Sequence, residues 1–501
     1  MPRPPPGRRR EHPARDVSHS PGPRGPGPSR EQRGSRRRGD RPRSTGGEVD
    51  EGGQPGKADR PDRPLREDLV IQAALEAYGA IRHEGWLADR GLDHVLRVKR
   101  HLYSNERRAV AERVYALLRR QRTVDALLER TGASLAQRST TEQDLLRLAT
   151  SRVLHGESAE RVARTSGLHP DEARLLEALP AAAAALQALP RPERFALDAS
   201  LPDFLAARFL RQFGDRAEAE AAAMNERAPL TARVNPLKTT REALRERLRA
   251  EGVEARETPL SPLGLFLETR LNAFSLPSFR DGLFELQDEG SQLLGLLVDA
   301  PPTRVVDACA GAGGKTLQLA AQMHNRGELF ALDVDARRLE ELKRRARRAG
   351  VHNVRIRPLP ASGPDVAPAL ADLMERADRV LVDAPCSGSG TFRRKPDARY
   401  RLTEAMLGQH VERQRLLLAQ FAPLVRPGGR LVYGTCSVLQ EENEGVVAWF
   451  LERHPEFRPV PPADRLGPEL GARVSDGDFL RLSPGRHGTD GFFGAILLRG
   501  R

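Results

Sequence analysis

From about Asp288 to Arg501 the chain alternates short apolar runs with amphipathic helical stretches, which leaves few folds open. Arg304-Val305-Val306-Asp307, Glu328-Leu329-Phe330-Ala331-Leu332-Asp333 and Arg379-Val380-Leu381-Val382-Asp383 read as buried strands. Arg430-Leu431-Val432-Tyr433 follows, entered through the turn Pro427-Gly428-Gly429, and a short strand is expected around Arg355-Ile356. Between the first strands, a helix from Thr316 and another carrying Leu339, Leu342, Ala346 and Ala349 on one face are expected, the second ending at Gly350. Continuous apolar strands separated by helices predict an α/β fold built on a doubly wound, mainly parallel sheet. Ligands of such a sheet sit at the carboxyl ends of its strands.

Three further segments precede it. Residues 1–63 are Pro, Gly, Arg and Ser with almost no apolar residues, so they cannot bury a core and are expected to be a disordered basic tail. That tail carries about seven of the thirteen net positive charges. It reads either as a solubilising segment or as an arm that adds non-specific affinity for nucleic acid. Residues 64–190 show helical periodicity, for example Val70, Ala73, Ala74, Ala77 and Ile81, and predict a small all-helical domain. Its cations Arg97, Lys99, Arg100, Arg107, Arg108, Arg119 and Arg120 read most simply as solvated faces, with RNA contact as the sharper alternative. A linker marked by Pro190 and Pro192 comes next. Over 198–287 the order helix, strand at Leu230–Asn235, charged helix at Arg241–Glu251 and short strands predicts a small α+β module. Residues 288–501 form the last domain.

The chain has three cysteines, Cys309, Cys386 and Cys436, which is no disulfide framework. No apolar run reaches membrane-span length, and no apolar segment follows the basic N-terminus, so a soluble cytoplasmic protein is expected.

Two regions carry chemistry. The first strand runs into Ala308-Cys309-Ala310-Gly311-Ala312-Gly313-Gly314-Lys315, small residues that let a ligand approach the backbone. Asp333 lies about twenty residues on, where such sheets place an acid for the hydroxyls of an adenosine ribose. This pair fits a dinucleotide or S-adenosylmethionine equally. It argues against a P-loop, because Cys309 stands where that motif needs its first glycine. The second region is the pair of turns Asp383-Ala384-Pro385-Cys386-Ser387-Gly388 and Gly434-Thr435-Cys436-Ser437. Each follows an apolar run, which puts a thiol at the mouth of the sheet, and two such thiols suggest covalent catalysis. Cys309, inside the glycine-rich turn, reads as a packing residue.

With these turns the chain resembles the Sun/NOP group of S-adenosylmethionine-dependent RNA cytosine-5 methyltransferases. The likeness extends over roughly 200–501 and includes Arg233-Val234-Asn235, Gln287-Asp288-Glu289-Gly290, Arg393-Arg394-Lys395-Pro396-Asp397, Glu441-Glu442-Asn443 and Asp490-Gly491-Phe492-Phe493. The helical segment resembles the NusB-type domain of the bacterial small-subunit rRNA methyltransferase of that family. The resemblance implies a Rossmann-like methyltransferase sheet and a small RNA-binding module. It implies Cys436 as the nucleophile toward carbon 6, Cys386 as the residue that helps release the product, and Asp383 on N3 of the base, with Lys315 near the base. It also implies cofactor contacts from Cys309, Ala310, Gly311, Ala312, Gly313, Gly314, Lys315, Asp333 and Asp383. Arg393 and Arg394 are expected on RNA phosphate, with Arg233 and Asn235 in the other wall of an RNA groove. The expected substrate is a single-stranded or loop cytosine, most simply in 16S rRNA, bound by a monomer without a metal.

Two departures stand out. Gly311-Ala312 replaces the usual Ala-Pro, and no acid follows the third strand promptly, Asp365 coming late. The alternatives are a tRNA methyltransferase, a non-catalytic RNA-binding assembly factor, and a DNA methyltransferase, which the two cysteine turns disfavour.

Overall fold

The computed structural model describes residues 63–269, 272–361 and 366–501. The expected tail, apart from Arg63, lies outside the described residues, as does Asp365.

Helices occupy the chain from Glu67–Arg82 to Ala217–Asn225. Their apolar stripes converge on a core that includes Val70, Ala74, Val110, Val114, Leu117 and Leu146. Ser139 and Glu142 close a capping box at the start of Thr140–Leu154, satisfying backbone N–H groups that the helix cannot. The expected linker at Pro190 and Pro192 is instead a helix start: Pro190 is the N-cap and Pro192 lies in the first turn of Arg191–Asp198. Proline is tolerated there because the first-turn N–H groups have no intrahelical acceptor. Phe195 of this helix joins Phe209 and Phe213 of Asp203–Phe213 in a cluster with Phe392, Leu402, Val438 and Leu439. Each such side chain contributes roughly 1.5–3 kcal/mol on burial. The helices are therefore fastened to the segments that follow Cys386 and Cys436.

The α+β segment contains β1 (Thr231–Val234), β2 (Ala255–Glu257), β3 (Gly264–Leu267) and β4 (Phe284–Leu286), in the antiparallel order β2-β3-β1-β4. Leu244 and Leu248 of the helix Arg241–Ala250 share one core with Ala232, Val234, Leu265 and Phe284.

The large sheet holds β5 (Arg304–Asp307), β6 (Glu328–Asp333), β7 (Val354–Pro358), β8 (Ala377–Asp383), β9 (Val425–Thr435), β10 (Phe457–Val460), β11 (Ser475–Asp476), β12 (Phe479–Leu482) and β13 (Phe492–Arg499). Its order is β11-β12-β13-β9-β8-β5-β6-β7, with β10 also paired to β13. Strands β5 to β9 pair in parallel, as the apolar runs predict. The remaining four are antiparallel. From β5 the chain winds first toward β6 and β7, then back across to β8 and β9. The switch point, where such sheets open a crevice, thus lies between β5 and β8. No helix among the described residues is long and apolar enough to cross a membrane.

Candidate active site

The carboxyl ends of four adjacent strands supply the site. Asp307 ends β5, Asp333 ends β6, Asp383 ends β8, and Cys436 follows β9. Parallel register sets Asp307 opposite Ala331 on one side and Leu381 on the other, and Asp383 opposite Gly434. Cys386 and Cys436 therefore leave neighbouring strands at nearly the same height. Their sulfurs are 3.4 Å apart, and both are free thiols, each partly exposed.

Hydrogen bonds fix the two cysteine loops to each other. Gly390 N–H donates to the Cys436 carbonyl at 3.0 Å, and the Ser389 and Ser437 hydroxyls meet at 2.9 Å. Glu442, fully buried, accepts from Ser387 N–H at 2.8 Å, from Gln414 Nε2 at 3.0 Å and from the Ser387 hydroxyl. Asn443 donates to the Ser437 carbonyl at 3.0 Å. A Cβ on Gly390 would sit 2.2 Å from the Gly491 carbonyl oxygen, so only glycine admits the Asp490-Gly491 turn here.

Lys315 Nζ donates to Asp383 Oδ2 at 2.7 Å and lies 5.4 Å from the Phe492 ring centre. The two thiols differ electrostatically. A hydrogen bond from Cys386 holds the Cys436 thiol below its ordinary range against burial and the charge of Asp383, with Lys315 helping. Cys386 is pushed well up by that same bond and by burial, with Glu442 adding to it. The shared hydrogen bond thus moves the two thiols in opposite directions, Cys436 down and Cys386 up. Cys309 is also pushed well up, first by burial and then by Asp307, Asp383 and Asp333, which makes it inert.

The glycine-rich turn fits an adenosyl ligand. The α-carbons of Gly311 and Gly314 face open space, and a Cβ on either would meet nothing within 4 Å. Gly313, at φ +88°, caps the helix Gly314–Gln322, whose first N–H groups face the turn. Asp333 Oδ2 accepts from Gly311 N–H at 2.8 Å and Oδ1 accepts from Asp335 N–H at 2.8 Å, so its carboxylate is held at the turn.

Asp307, a residue the motifs did not flag, has Oδ2 bonded to the Thr316 hydroxyl at 2.7 Å and Oδ1 buried without a partner. Burial, then the neighbouring Asp383, raises it to about 7 against the pull of Thr316 and Lys315. A carboxyl raised on folding adds stability that is complete below its unfolded pKa and lost as pH rises through about 7. Between about pH 4 and 7, wild type is expected to lose stability relative to Asp307→Asn, at up to ~1.4 kcal/mol per pH unit, and to level off above that. Urea melts of both proteins across that range test this, and parallel pH profiles would refute it.

The four expected RNA contacts all have internal partners. Arg233 is buried and donates to the Gly314 carbonyl at 2.7 Å as well as to Gln287 and Gln318. Asn235 Nδ2, also buried, donates to the carbonyls of Gly282 and Ala349 at 2.8 and 2.9 Å. Arg393 and Arg394 both pair with Asp490 and Asp288, and Arg393 is 5% exposed. Arg233, Asn235 and Arg393 are buried, whereas the Arg394 side chain is 31% exposed. Among the helical-segment cations, Lys99 pairs with Glu76, Arg97 with Asp93, and Arg107 and Arg119 bond the carbonyls of Leu96 and Arg393.

Residues 296–498 match the family model described as 16S rRNA methyltransferase RsmB/F, and 201–273 match the ferredoxin-like domain described as Methyltr_RsmF/B-like. The chain is 31% identical over 428 residues to the probable ribosomal RNA small subunit methyltransferase B of Synechocystis sp., covering 82% of this chain and 94% of that one. It is 39% identical over 304 residues to ribosomal RNA small subunit methyltransferase B of Xylella fastidiosa strain 9a5c, 60% of this chain and 69% of the relative. Among solved structures, PH0851 matches at 29% identity and a TM-score of 0.68, covering 87% of this chain and 99% of that one. A methyltransferase homolog protein from Pyrococcus horikoshii matches at 31% identity and a TM-score of 0.52, covering 62% and 99%. With a curated relative aligned over nearly its whole length and two family models falling on the two sheets, the chain belongs to the RsmB/F family of 16S rRNA methyltransferases.

Proposed function

We propose that this protein transfers a methyl group from S-adenosylmethionine to carbon 5 of a cytosine in 16S rRNA, through a covalent adduct with Cys436. The observation that carries this reading is the thiol pair, 3.4 Å apart, beside the Lys315–Asp383 ion pair at the ends of adjacent strands. Residues 309–315 with Asp333 and Asp383 are the proposed cofactor contacts, on the strength of the open glycines and the tethered Asp333. When bound there, S-adenosylmethionine supplies an electrophilic methyl group.

Carbon 5 of cytosine is too weak a nucleophile unaided. Addition of the Cys436 thiolate to carbon 6 turns the ring into an enamine whose carbon 5 is nucleophilic. Asp383, acting as a carboxylic acid, donates to N3 and so offsets the negative charge that the thiolate brings onto the ring, while Lys315 holds the other carboxyl oxygen. After methylation, transfer of the carbon 5 proton to a water molecule restores the double bond as the carbon–sulfur bond breaks and its electron pair returns to Cys436. The Cys386 S–H then hydrogen-bonds the departing Cys436 thiolate. The base must leave its stack to reach two thiols set among loops, which favours unpaired RNA.

The test is methyl transfer from labelled S-adenosylmethionine to 16S rRNA and to tRNA, followed by bisulfite mapping. A single 5-methylcytosine in 16S rRNA is expected. Methylation confined to tRNA, or none with a folded protein that binds no cofactor, would replace this reading.

A further inference from the structure

The small antiparallel sheet grips the glycine-rich turn from outside the large sheet. Arg345, on the helix Ala336–Ala349, donates from Nη1 to the Ala312 carbonyl at 2.8 Å. Its Nε and Nη2 both reach Glu285 Oε2, at 3.2 and 2.9 Å. Glu285 lies on β4 with its side chain only 4% exposed, and its other oxygen takes a bond from Arg348. Arg348 in turn stacks 3.9 Å from the ring centre of Phe279, in the same module. One turn of helix before Arg345, Leu342 packs so closely on Gly313 that a Cβ there would meet it at 2.7 Å. On the other side of the turn, Arg233 of β1 donates to the Gly314 carbonyl at 2.7 Å. Backbone oxygens on both sides of Gly313 are thus held by guanidinium groups tied to the small sheet. A charged donor anchored on a buried carboxylate holds its acceptor more firmly than a neutral one.

We propose that Arg345, anchored by Glu285, is a positioning residue that sets the conformation of the turn 311–315 for cofactor binding. The small sheet is then part of the cofactor-binding machinery. This rests on the reading that the turn holds S-adenosylmethionine. It also accounts for how the turn keeps its shape with Gly311-Ala312 in place of a proline.

Two readouts on the full chain separate the proposal from that reading. In Arg345→Met without ligand, the amides of 311–316 are expected to exchange with deuterium about tenfold faster, with the thermal midpoint nearly unchanged. Calorimetric titration is expected to show S-adenosylmethionine binding about tenfold more weakly, with Arg345→Lys between the two. Glu285→Gln, which keeps the shape of the side chain, is expected to act in the same direction. Arg347→Met, on the exposed face of the same helix, is expected to change neither quantity. Unchanged exchange in Arg345→Met, or faster exchange throughout the chain, would overturn the proposal. If wild type binds no S-adenosylmethionine, the cofactor reading fails, and the exchange experiment still decides whether Arg345 positions the turn. If Arg345→Met does not fold, Glu285→Gln supplies the same two readouts, and unchanged exchange in that variant overturns the proposal equally.

Discussion

Cys436→Ala is expected to lower the rate of methyl transfer at least ~10³-fold, equivalent to more than about 4 kcal/mol of transition-state stabilisation. The size follows from what the thiolate does. Without addition at carbon 6 there is no enamine, and the remaining groups only orient two unreactive partners. The neighbouring sulfur does not substitute for it. In this variant Cys386 loses the bond to Cys436 that raises it most, but burial and the neighbouring Glu442 remain and still favour the neutral thiol. Affinity for S-adenosylmethionine is expected to stay within a few-fold of wild type, because the turn at 311–315 hangs on β5 rather than on β9. Single-turnover transfer with calorimetry on the same preparation distinguishes lost chemistry from lost binding. A variant that keeps a tenth of the wild-type rate would show that addition is not the route.

Cys386→Ala is expected to do the opposite and hold the enzyme on its substrate. The variant keeps the Cys436 nucleophile beside Lys315 and so forms the adduct. It loses the S–H that stabilises the departing thiolate 3.4 Å away. A protein–RNA complex that survives denaturing electrophoresis is the expected product, absent from wild type and from the Cys386→Ala/Cys436→Ala double variant. The substitution also removes the largest influence lowering the Cys436 thiol, so iodoacetamide is expected to alkylate Cys436 at a higher pH than in wild type. No adduct in Cys386→Ala under conditions that support wild-type turnover would reverse the assigned roles.

Strands β5, β6, β8 and β9 were legible because they are largely buried and read as apolar runs, whereas β7, at the sheet edge, is charged and partly exposed. Strands β10 to β13 were not resolved from sequence, since they follow one another without intervening long helices and lose that rhythm. Asp333 and Asp383 stood out because each ends a strand, the thiols because each follows one within three residues, and Lys315 because it opens the helix after the glycine-rich turn. The arginines were not. Arg233, Arg345 and Arg393 look alike in a sequence whose net charge is +13, and only burial separates an internal guanidinium from a solvated one. Acids that would identify their partners, Glu285, Asp288 and Asp490, are distant in sequence from the arginines they hold. Asp307 was visible as a strand end, but its raised pKa arises from enclosure by residues that arrive from other strands.

The two sulfurs project from β8 and β9, whose separation is the hydrogen-bonded pitch of a sheet, about 4.8 Å. That pitch is a property of the peptide backbone and is indifferent to which apolar side chains fill the core below. Mutational drift in that core shifts both strand ends together and leaves the gap between the thiols nearly constant. A single-residue insertion between Asp383 and Cys386, or between Gly434 and Cys436, moves one sulfur and not the other. The gap between the two sulfurs therefore tolerates substitution across the domain and is sensitive to length in two short loops.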